Sequence, residues 1–288
     1  MGAIIGLIVT LATVFGGFLL AGGKMDIILH SLPFEGLSIC GAAIGAFIVG
    51  NDSAAIKHTI GDLGKMMKGP KWKSEDYNDL LCLLFEIVRL ARQNPMGLEE
   101  HIEDPENSDI FQRYPKVLND HIALDMICDT FRSSGMNFDD PHQVGDMLEA
   151  DLMKQEEEAM HSSHALQNMA DALPALGIVA AVLGIIKTMS SIDQPPEILG
   201  GMIGAALVGT FLGVFLAYGV VGPFATKIGA INQEEQNYYK LIRDVLVAYL
   251  YEHQPTICIE VGRKSTPHKF RPTFIDLETS LRELKAAA

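Results

Sequence analysis

Residues 172–192 read ALPALGIVAAVLGIIKTMSSI, and residues 198–223 read ILGGMIGAALVGTFLGVFLAYGVVGP. Each stretch is long enough to cross a bilayer as a helix, and a tight turn joins the two. Each contains a proline and a row of small residues, and neither holds a carboxylate within its apolar run. Membrane proteins that move ions normally place an ionisable group in the bilayer. If this pair lines an ion path, we therefore expect another chain to supply the carboxylate, which predicts a complex.

Two further apolar stretches precede this pair. The first runs from Gly2 to Gly23 without a charge, and the second runs from about Phe34 to Gly50 with Glu35 at its edge. Since no region is rich in strand signals, the sequence predicts an all-α, polytopic membrane protein with four transmembrane helices and a helical cytoplasmic domain. The predicted divisions are helices 1 and 2 in 1–50, a cytoplasmic loop in 51–170, helices 3 and 4 in 171–223, and a cytoplasmic tail in 224–288.

The composition excludes several classes of function. The 288-residue chain is acidic, with a formal net charge of −14, which disfavours nucleic acid as a partner. Four cysteines are widely spaced without a CxxC motif and indicate isolated reduced thiols, not a metal site or a disulfide framework: Cys40, Cys82, Cys128 and Cys258. No phosphate-binding, metalloprotease or hydrolase motif occurs. The sequence therefore predicts neither enzyme activity nor a cofactor.

Basic residues indicate the orientation in the membrane. Five lysines follow the second apolar stretch, namely Lys57, Lys65, Lys68, Lys71 and Lys73, and Lys227 follows the fourth. By the positive-inside rule both long polar segments face the cytoplasm. Both termini are then cytoplasmic as well, because the number of spans is even.

The polar segments contain helical patterns. Residues 54–68 place Ile56, Ile60, Leu63 and Met67 on one face, which fits either a helix on the inner leaflet or an amphipathic helix packed on protein. From Gln143 onward the third membrane helix is predicted to begin well inside the cytoplasm. The fourth is predicted to continue to about Pro255.

Small residues form one face of each of the last two membrane stretches. They recur at helical spacing as Gly177, Ala181, Gly184 and Thr188 in the third stretch, and as Ala206, Thr210, Gly213 and Ala217 in the fourth. Such faces let two helices approach closely, and they also leave room for a third helix or for water. Spacing alone favours packing, whereas the hydroxyl of Thr210 favours an ion path. In that case Thr210 and Ala181 are both expected to face a partner helix, because each belongs to the small face of its own stretch.

The chain resembles the MotA/PomA family of flagellar motor stator proteins over essentially its whole length. The resemblance is carried by LPALGIVAAVLG (173–184), VGTFLGVFLAYG (208–219), ARQNPMGLEEHIEDP (91–105) and GRKSTPHKFRPTFIDLE (262–278). It implies a stator subunit of the bacterial inner membrane, surrounded by lipid, in which five copies enclose two MotB-type subunits. Ion flow then drives rotation against the rotor protein FliG, and the MotB-type partner supplies the intramembrane aspartate.

The resemblance also implies roles for individual residues. Arg92 and Glu99 match the charged residues that engage FliG, and Glu100 is a further candidate for that role. Pro174 and Pro223 match the prolines that couple ion flow to movement. Thr210 matches the hydroxyl residue beside the partner's aspartate, with Gly177, Gly184, Ala206 and Gly213 on the same faces. Ala181 stands where sodium-driven relatives carry threonine, which implies that H⁺ is transported in preference to Na⁺.

Two other functions compete with this interpretation. One is an energiser of the ExbB or TolQ type that powers an outer-membrane process, although such proteins have three spans and this sequence predicts four. The other is a membrane scaffold that conducts nothing, whose loop charges need not complement a rotor. Motility of a deletion strain separates the three.

Overall fold

The fold is described by a computed structural model that covers residues 2–136 and 138–287, with side chains to residue 284. These residues form helices and no strand, which confirms the all-α prediction. The helices are α1 (Gly2–Leu20), α2 (Met25–Gly50), α3 (Ser53–Lys68), α4 (Ser74–Gln93), α5 (Pro95–Glu103), α6 (Asp109–Gln112), α7 (Pro115–Leu118), α8 (His121–Gly135), α9 (Pro141–Met189), α10 (Pro196–Leu216), a π-helix (Ala217–Val221), α11 (Gly222–Leu250), α12 (Pro255–Ser265) and α13 (Phe274–Ala287).

Four helical segments are long and apolar enough to cross a membrane: Gly2–Leu20, Met25–Gly50, Pro141–Met189 and Pro196–Leu250. The number of spans agrees with the prediction. The chain divides into two compact units, one of residues 1–69 and 159–231 and the other of residues 70–158 and 232–288. We call them the membrane unit and the polar unit. The membrane unit includes residues 51–69, which the sequence assigned to the cytoplasmic loop.

The second membrane helix is longer than predicted. α2 begins at Met25, continues through Pro33 and ends at Gly50, so Glu35 lies inside the helix and not at its edge. Asp26, His30, Pro33 and Glu35 had lowered the apolar signal of this segment. The helix persists because backbone groups inside a bilayer need partners within their own segment, and neighbouring groups tolerate one proline.

α3 packs on protein with a face that overlaps only in part with the one predicted: Ile56 and Leu63 are half-buried, and Leu63 packs against Leu166, Ala225 and Ile228. Its buried residues are Ala55, Thr59 and Asp62, and the carboxylate of Asp62 forms an ion pair with Lys65 at 3.0 Å. Ile60 and Met67, from the predicted apolar face, are 65% and 53% exposed. The side of α3 that packs on the membrane unit is thus offset from its most apolar side, which stays open.

The two long helices α9 and α11 contribute to both units. In the membrane unit, Leu166 of α9 packs against Ala225 and Ile228 of α11, and the Ser163 hydroxyl donates to the carbonyl of Ala225 at 2.8 Å. α9 starts at Pro141 and is uninterrupted through Pro174, in agreement with the predicted start well before the membrane. α11 ends at Leu250, a few residues before the predicted limit.

The polar unit is built around α4. Nearly every apolar side chain of α4 is buried, including Leu80, Leu84 and Ile87. The Trp72 ring stacks on Tyr238 of α11 with ring centroids 3.8 Å apart. Burial also raises the pKa of the Cys82 and Cys128 thiols to about 12. Both are therefore neutral and unreactive near neutral pH, as the prediction of isolated reduced thiols requires.

Buried charges of the polar unit are paired. Asp76 is 2% exposed and accepts from the Lys116 ammonium at 2.6 Å and from the backbone N–H of Lys73 at 2.8 Å. The second of these bonds caps α4. Asp120 is held by Lys71 and by the Tyr239 hydroxyl at 3.1 Å. These contacts give the unit a defined core.

Candidate functional site

The α9–α10 contact is made by glycines and alanines. A Cβ built on Gly177 would lie 2.9 Å from the carbonyl oxygen of Gly209 and 3.1 Å from the Cα of Gly213. A Cβ on Gly184 would lie 2.7 Å from the Cβ of Ala206. These distances leave no room for a side chain, so the two backbones are in direct contact. We call Gly177, Gly184, Ala206, Gly209 and Gly213 the glycine seam.

Four of the predicted ion-path residues belong to the glycine seam and pack between α9 and α10: Gly177, Gly184, Ala206 and Gly213. Each contacts the neighbouring helix of its own chain, so close approach accounts for its small size. The GxxxG pair Gly209–Gly213 belongs to this contact. In contrast, Gly2, Gly6, Gly41 and Gly45 have open space around them, and their GxxxG spacing makes no helix contact within the described chain.

Thr210 differs from the other threonines of the membrane helices. Thr10 donates to the carbonyl of Gly6 at 2.9 Å, and Thr188 donates to that of Gly184 at 2.9 Å. Among the described residues, the half-buried Thr210 has no hydrogen-bond partner for its hydroxyl. The Thr210 hydroxyl lies beside the glycine seam and can both donate and accept a hydrogen bond.

Ala181 lies inside the chain's own helix contact. It is 7% exposed, and its backbone nitrogen would be 3.4 Å from a Cβ on Gly209. The sequence predicted that Ala181 and Thr210 both face a partner helix. The structure separates them, because Ala181 is covered by α10 whereas Thr210 is one residue, or about 100° of helix rotation, beyond Gly209.

Glu35 lies at the candidate site, although the sequence analysis did not name it as a site residue. A Cβ on Gly209 would lie 2.9 Å from the Oε2 atom of Glu35 and 3.2 Å from the Cβ of Ala180. The carboxylate of α2 therefore occupies the space that the absent side chain of Gly209 leaves beside α9. The signal was present in the sequence, since a glutamate falls within a 26-residue helix that has few other charges.

The two prolines have different surroundings. Pro174 is half-buried within the unbroken α9, next to Leu173, which is 1% exposed. Pro223 is exposed and follows the π-helix, in which the N–H of Gly222 donates to the carbonyl of Ala217. Proline has no N–H to donate to the preceding turn, and π-helical turns occur frequently at functional sites. The structure thus shows an irregular turn at Pro223 and none at Pro174.

The predicted rotor residues lie on helices of the polar unit. Arg92 is in the last turn of α4, while Glu99 and Glu100 are on α5, and all three side chains are exposed. Arg92 donates to the carbonyl of Tyr249 at 3.2 Å and lies over the Tyr249 ring at 5.4 Å. Neither glutamate has an ion-pair partner in the described part of the chain.

Asn94 lies at the junction between α4, which carries Arg92, and α5, which carries Glu99 and Glu100. Its side chain accepts from the N–H of Gly97 at 3.1 Å and so caps α5 directly after α4 ends. Pro95 takes the first helical position, where its missing N–H costs nothing. The described residues contain no group of three or more His, Cys, Asp or Glu side chains arranged to bind a metal ion.

The sequence matches two family descriptions. Residues 4–95 match "Motility protein A N-terminal", and residues 123–240 match the "MotA/TolQ/ExbB proton channel family". The second description covers both stator proteins and the competing energisers. The first is specific to motility proteins and therefore favours the stator over the ExbB or TolQ type.

Relatives of similar length support the same assignment. The chain is 38% identical to Motility protein A of Escherichia coli over 98% of its own length and 95% of that protein. It is 36% identical to Chemotaxis protein LafT of Vibrio parahaemolyticus over 98% of its length and 99% of that protein.

Two solved structures have the same fold. One is described as the structure of C. jejuni MotAB, with a TM-score of 0.72, 17% identity, and coverage of 93% of this chain and 96% of that one. The other is the flagellar MotAB stator complex from Bacillus subtilis, with a TM-score of 0.69, 22% identity, and coverage of 96% and 98%. The family matches and the identity of 38% over 98% of the chain are consistent with the four apolar helices and the close α9–α10 contact. The chain belongs to the motility protein A family.

Proposed function

We propose that this protein is the stator subunit of a bacterial flagellar motor. It assembles with a MotB-type subunit in the inner membrane, conducts protons and applies torque to the rotor protein FliG. The observation that carries the proposal is 38% identity to a motility protein A over 98% of the chain. The likeness extends over both the membrane unit and the polar unit.

The membrane unit supports the need for a partner. The apolar parts of α9 and α10 contain no carboxylate, and the free hydroxyl of Thr210 is suited to hydrogen-bond one supplied by another chain. Several large apolar side chains of α9 are more than 40% exposed in the single chain, including Ile178, Val182 and Ile186. Such a surface fits burial against lipid, a partner helix or further copies, as in a pentamer around two MotB-type subunits.

Protons are the ion that we propose. The family description names a proton channel. A dehydrated Na⁺ needs several oxygen ligands, whereas a proton needs one acceptor carboxylate and a hydrogen-bonded route. Ala181 adds no side-chain oxygen, although its buried position makes it a neighbour of the path and not part of its wall. No cofactor and no catalytic activity enter this mechanism.

The polar unit supplies the proposed rotor contact. Arg92, Glu99 and Glu100 are exposed charges on adjoining helix ends. A proton that crosses 100 mV delivers about 2.3 kcal/mol, so torque requires repeated small steps. Exposed ion pairs are worth about 0.2–1 kcal/mol each, which makes them weak enough to form and break in every step. Both termini are cytoplasmic in this arrangement, on the side of the rotor.

A deletion strain tests the proposal. Removal of the gene is expected to abolish swimming while flagella remain assembled and normal in length, and re-expression of the chain restores swimming. Loss of the filaments themselves would indicate an assembly role. Normal swimming together with a defect in the outer membrane would indicate an energiser of the ExbB or TolQ type.

A further inference from the structure

We propose that Glu35 is a second protonatable group of the proton route, contributed by this chain in addition to the partner's carboxylate. The inference rests on the proton-conducting function proposed above. It assigns to α2 a part in conduction, where the sequence had placed the route on α9 and α10 alone.

Three helices meet at this carboxylate. Oε2 of Glu35 would be 2.9 Å from a Cβ on Gly209, and the same Cβ would be 3.2 Å from the Cβ of Ala180 and 3.4 Å from the nitrogen of Ala181. The carboxyl group therefore sits at the glycine seam. The carboxyl group lies in the space that glycine leaves at position 209, so a side chain there would have to displace it.

The carboxyl group lies well inside the membrane-spanning parts of α2 and α10. Glu35 is about 15 Å along the axis from the start of α2 at Met25, and Gly209 is about 20 Å from the start of α10 at Pro196. The hydrocarbon core of a bilayer is about 30 Å thick. A carboxylate near its centre is costly, and such residues mark ion routes and proton relays.

The position of Glu35 in the membrane unit is not explained by an ion pair or a hydrogen bond. In the described chain it has no hydrogen bond and no ion pair, and it is half-buried. The charges on the surrounding helices are few. On α9, Lys187 interacts electrostatically with Glu35. Lys187 lies six residues after Ala181, which is about 9 Å along the helix axis. α10 has Glu197 in its first turn, α2 has Asp26 in its first turn and His30 between Asp26 and Glu35, and α1 has no charge.

The carboxyl group is next to the proposed path. Gly209, which contacts it, immediately precedes Thr210, whose hydroxyl is free. The Glu35 carboxylate takes up one proton from water and becomes neutral, then releases that proton to water or to the partner's carboxylate and becomes ionised again. One O–H bond forms and one breaks, and no other reactant is consumed.

The test uses the complete complex of this chain with its MotB-type partner in cells. Glu35→Gln keeps the shape and removes the titrating group, and Glu197→Gln is the matched control because it removes an exposed glutamate of the same unit. Membrane level and co-purification of the partner report assembly. Rotation speed of tethered cells is recorded over a range of external pH. We expect Glu35→Gln to assemble, to rotate at least five-fold more slowly and to lose the pH dependence of the wild type, while Glu197→Gln behaves as the wild type.

A second variant keeps the proposal testable if Glu35→Gln fails to assemble. Lys187→Gln leaves Glu35 in place and removes the nearby cation, which favours the ionised carboxylate. The pH of half-maximal speed is therefore expected to move. Wild-type speed and pH profile in Glu35→Gln, or an unmoved midpoint in Lys187→Gln, would overturn the role of Glu35. Rotation that ignores the proton gradient in the wild type would instead refute the proposed function.

Discussion

At the scale of single residues, the Thr210 hydroxyl is the group most directly available to a partner. Thr210→Val keeps the shape of the side chain and removes the hydroxyl, so we expect rotation to slow at least ten-fold while assembly is retained. Thr210→Ser is expected to rotate. The matched control is Thr188→Val, because the Thr188 hydroxyl is already bonded to Gly184. Bead or tethered-cell speed measures the effect, and equal speeds for the two valine variants would contradict the role of Thr210.

Gly177 tests the seam as a packing contact. An alanine there places its Cβ 2.9 Å from one backbone carbonyl and 3.1 Å from the Cα of Gly213, and backbone cannot move aside cheaply. Overpacking of this kind costs about 1–3 kcal/mol. We expect Gly177→Ala to lower the melting temperature of the purified complex. Gly41→Ala has open space and serves as the control; equal melting temperatures would show that the seam is looser than described.

The sequence predicted these residues better than it predicted their neighbours. Helical spacing grouped Gly177, Gly184, Ala206 and Gly213, and the structure places these four residues in one contact between α9 and α10. Their part in an ion path stays a prediction. Spacing does not reveal which helix covers a residue, and so Ala181 was expected to face a partner. Glu35 was placed at the edge of the second apolar stretch because polar residues precede it in the sequence. The helix itself continues through these polar residues to Met25.

At the scale of elements, the π-helix before Pro223 is the most irregular part of the membrane unit. Proline removes a backbone donor, and the five-residue turn of Ala217–Val221 lies directly before it. An alanine restores the N–H and permits a regular helix. Pro223→Ala is therefore expected to insert normally and to lose nearly all rotation. Pro174→Ala is expected to do the same because an added N–H stiffens the unbroken α9.

Pro196→Ala is the control for both prolines. Pro196 is the first residue of α10, where the missing N–H has no helical partner in any case. Membrane level and swimming speed are measured together. Wild-type swimming in Pro174→Ala or Pro223→Ala would leave these prolines with ordinary packing roles.

α3 shows why element faces are harder to predict than elements. Its existence and approximate limits follow from its pattern. Its orientation does not, because Thr59 and Asp62 are buried by satisfying their polar groups within the protein, while Ile60 and Met67 remain exposed. α3 packs on the membrane unit, as the amphipathic alternative for residues 54–68 requires. Its open apolar side leaves contact with the inner leaflet as a prediction.

At the scale of the whole molecule, the polar unit carries the exposed charges that we propose to contact the rotor. Arg92→Glu and Glu99→Lys are each expected to reduce torque by a fraction while assembly is intact, because one exposed pair is worth about 1 kcal/mol at most. Arg92→Glu also loses the contact with Tyr249 and is expected to have the larger effect. A compensating charge reversal on the rotor restores part of the motion.

The control for the rotor charges is Glu106→Lys, a reversal at another exposed site of the same unit. Torque is measured from the speed of a load of known drag. Full motility of the double variant Arg92→Glu, Glu99→Lys with an unaltered rotor would contradict electrostatic contact. An equal loss in Glu106→Lys would show that the effect is not specific to these positions.

The measurement that tests the central claim most directly is the rotation speed of tethered cells whose only MotA-type subunit is this chain, paired with its MotB-type partner, with the two ion gradients collapsed separately. The account predicts that a protonophore stops rotation while the sodium gradient persists. It also predicts that speed is unchanged when external sodium is varied at fixed proton-motive force. Speed that rises in proportion to sodium, or rotation that persists after the proton gradient is collapsed, would contradict it.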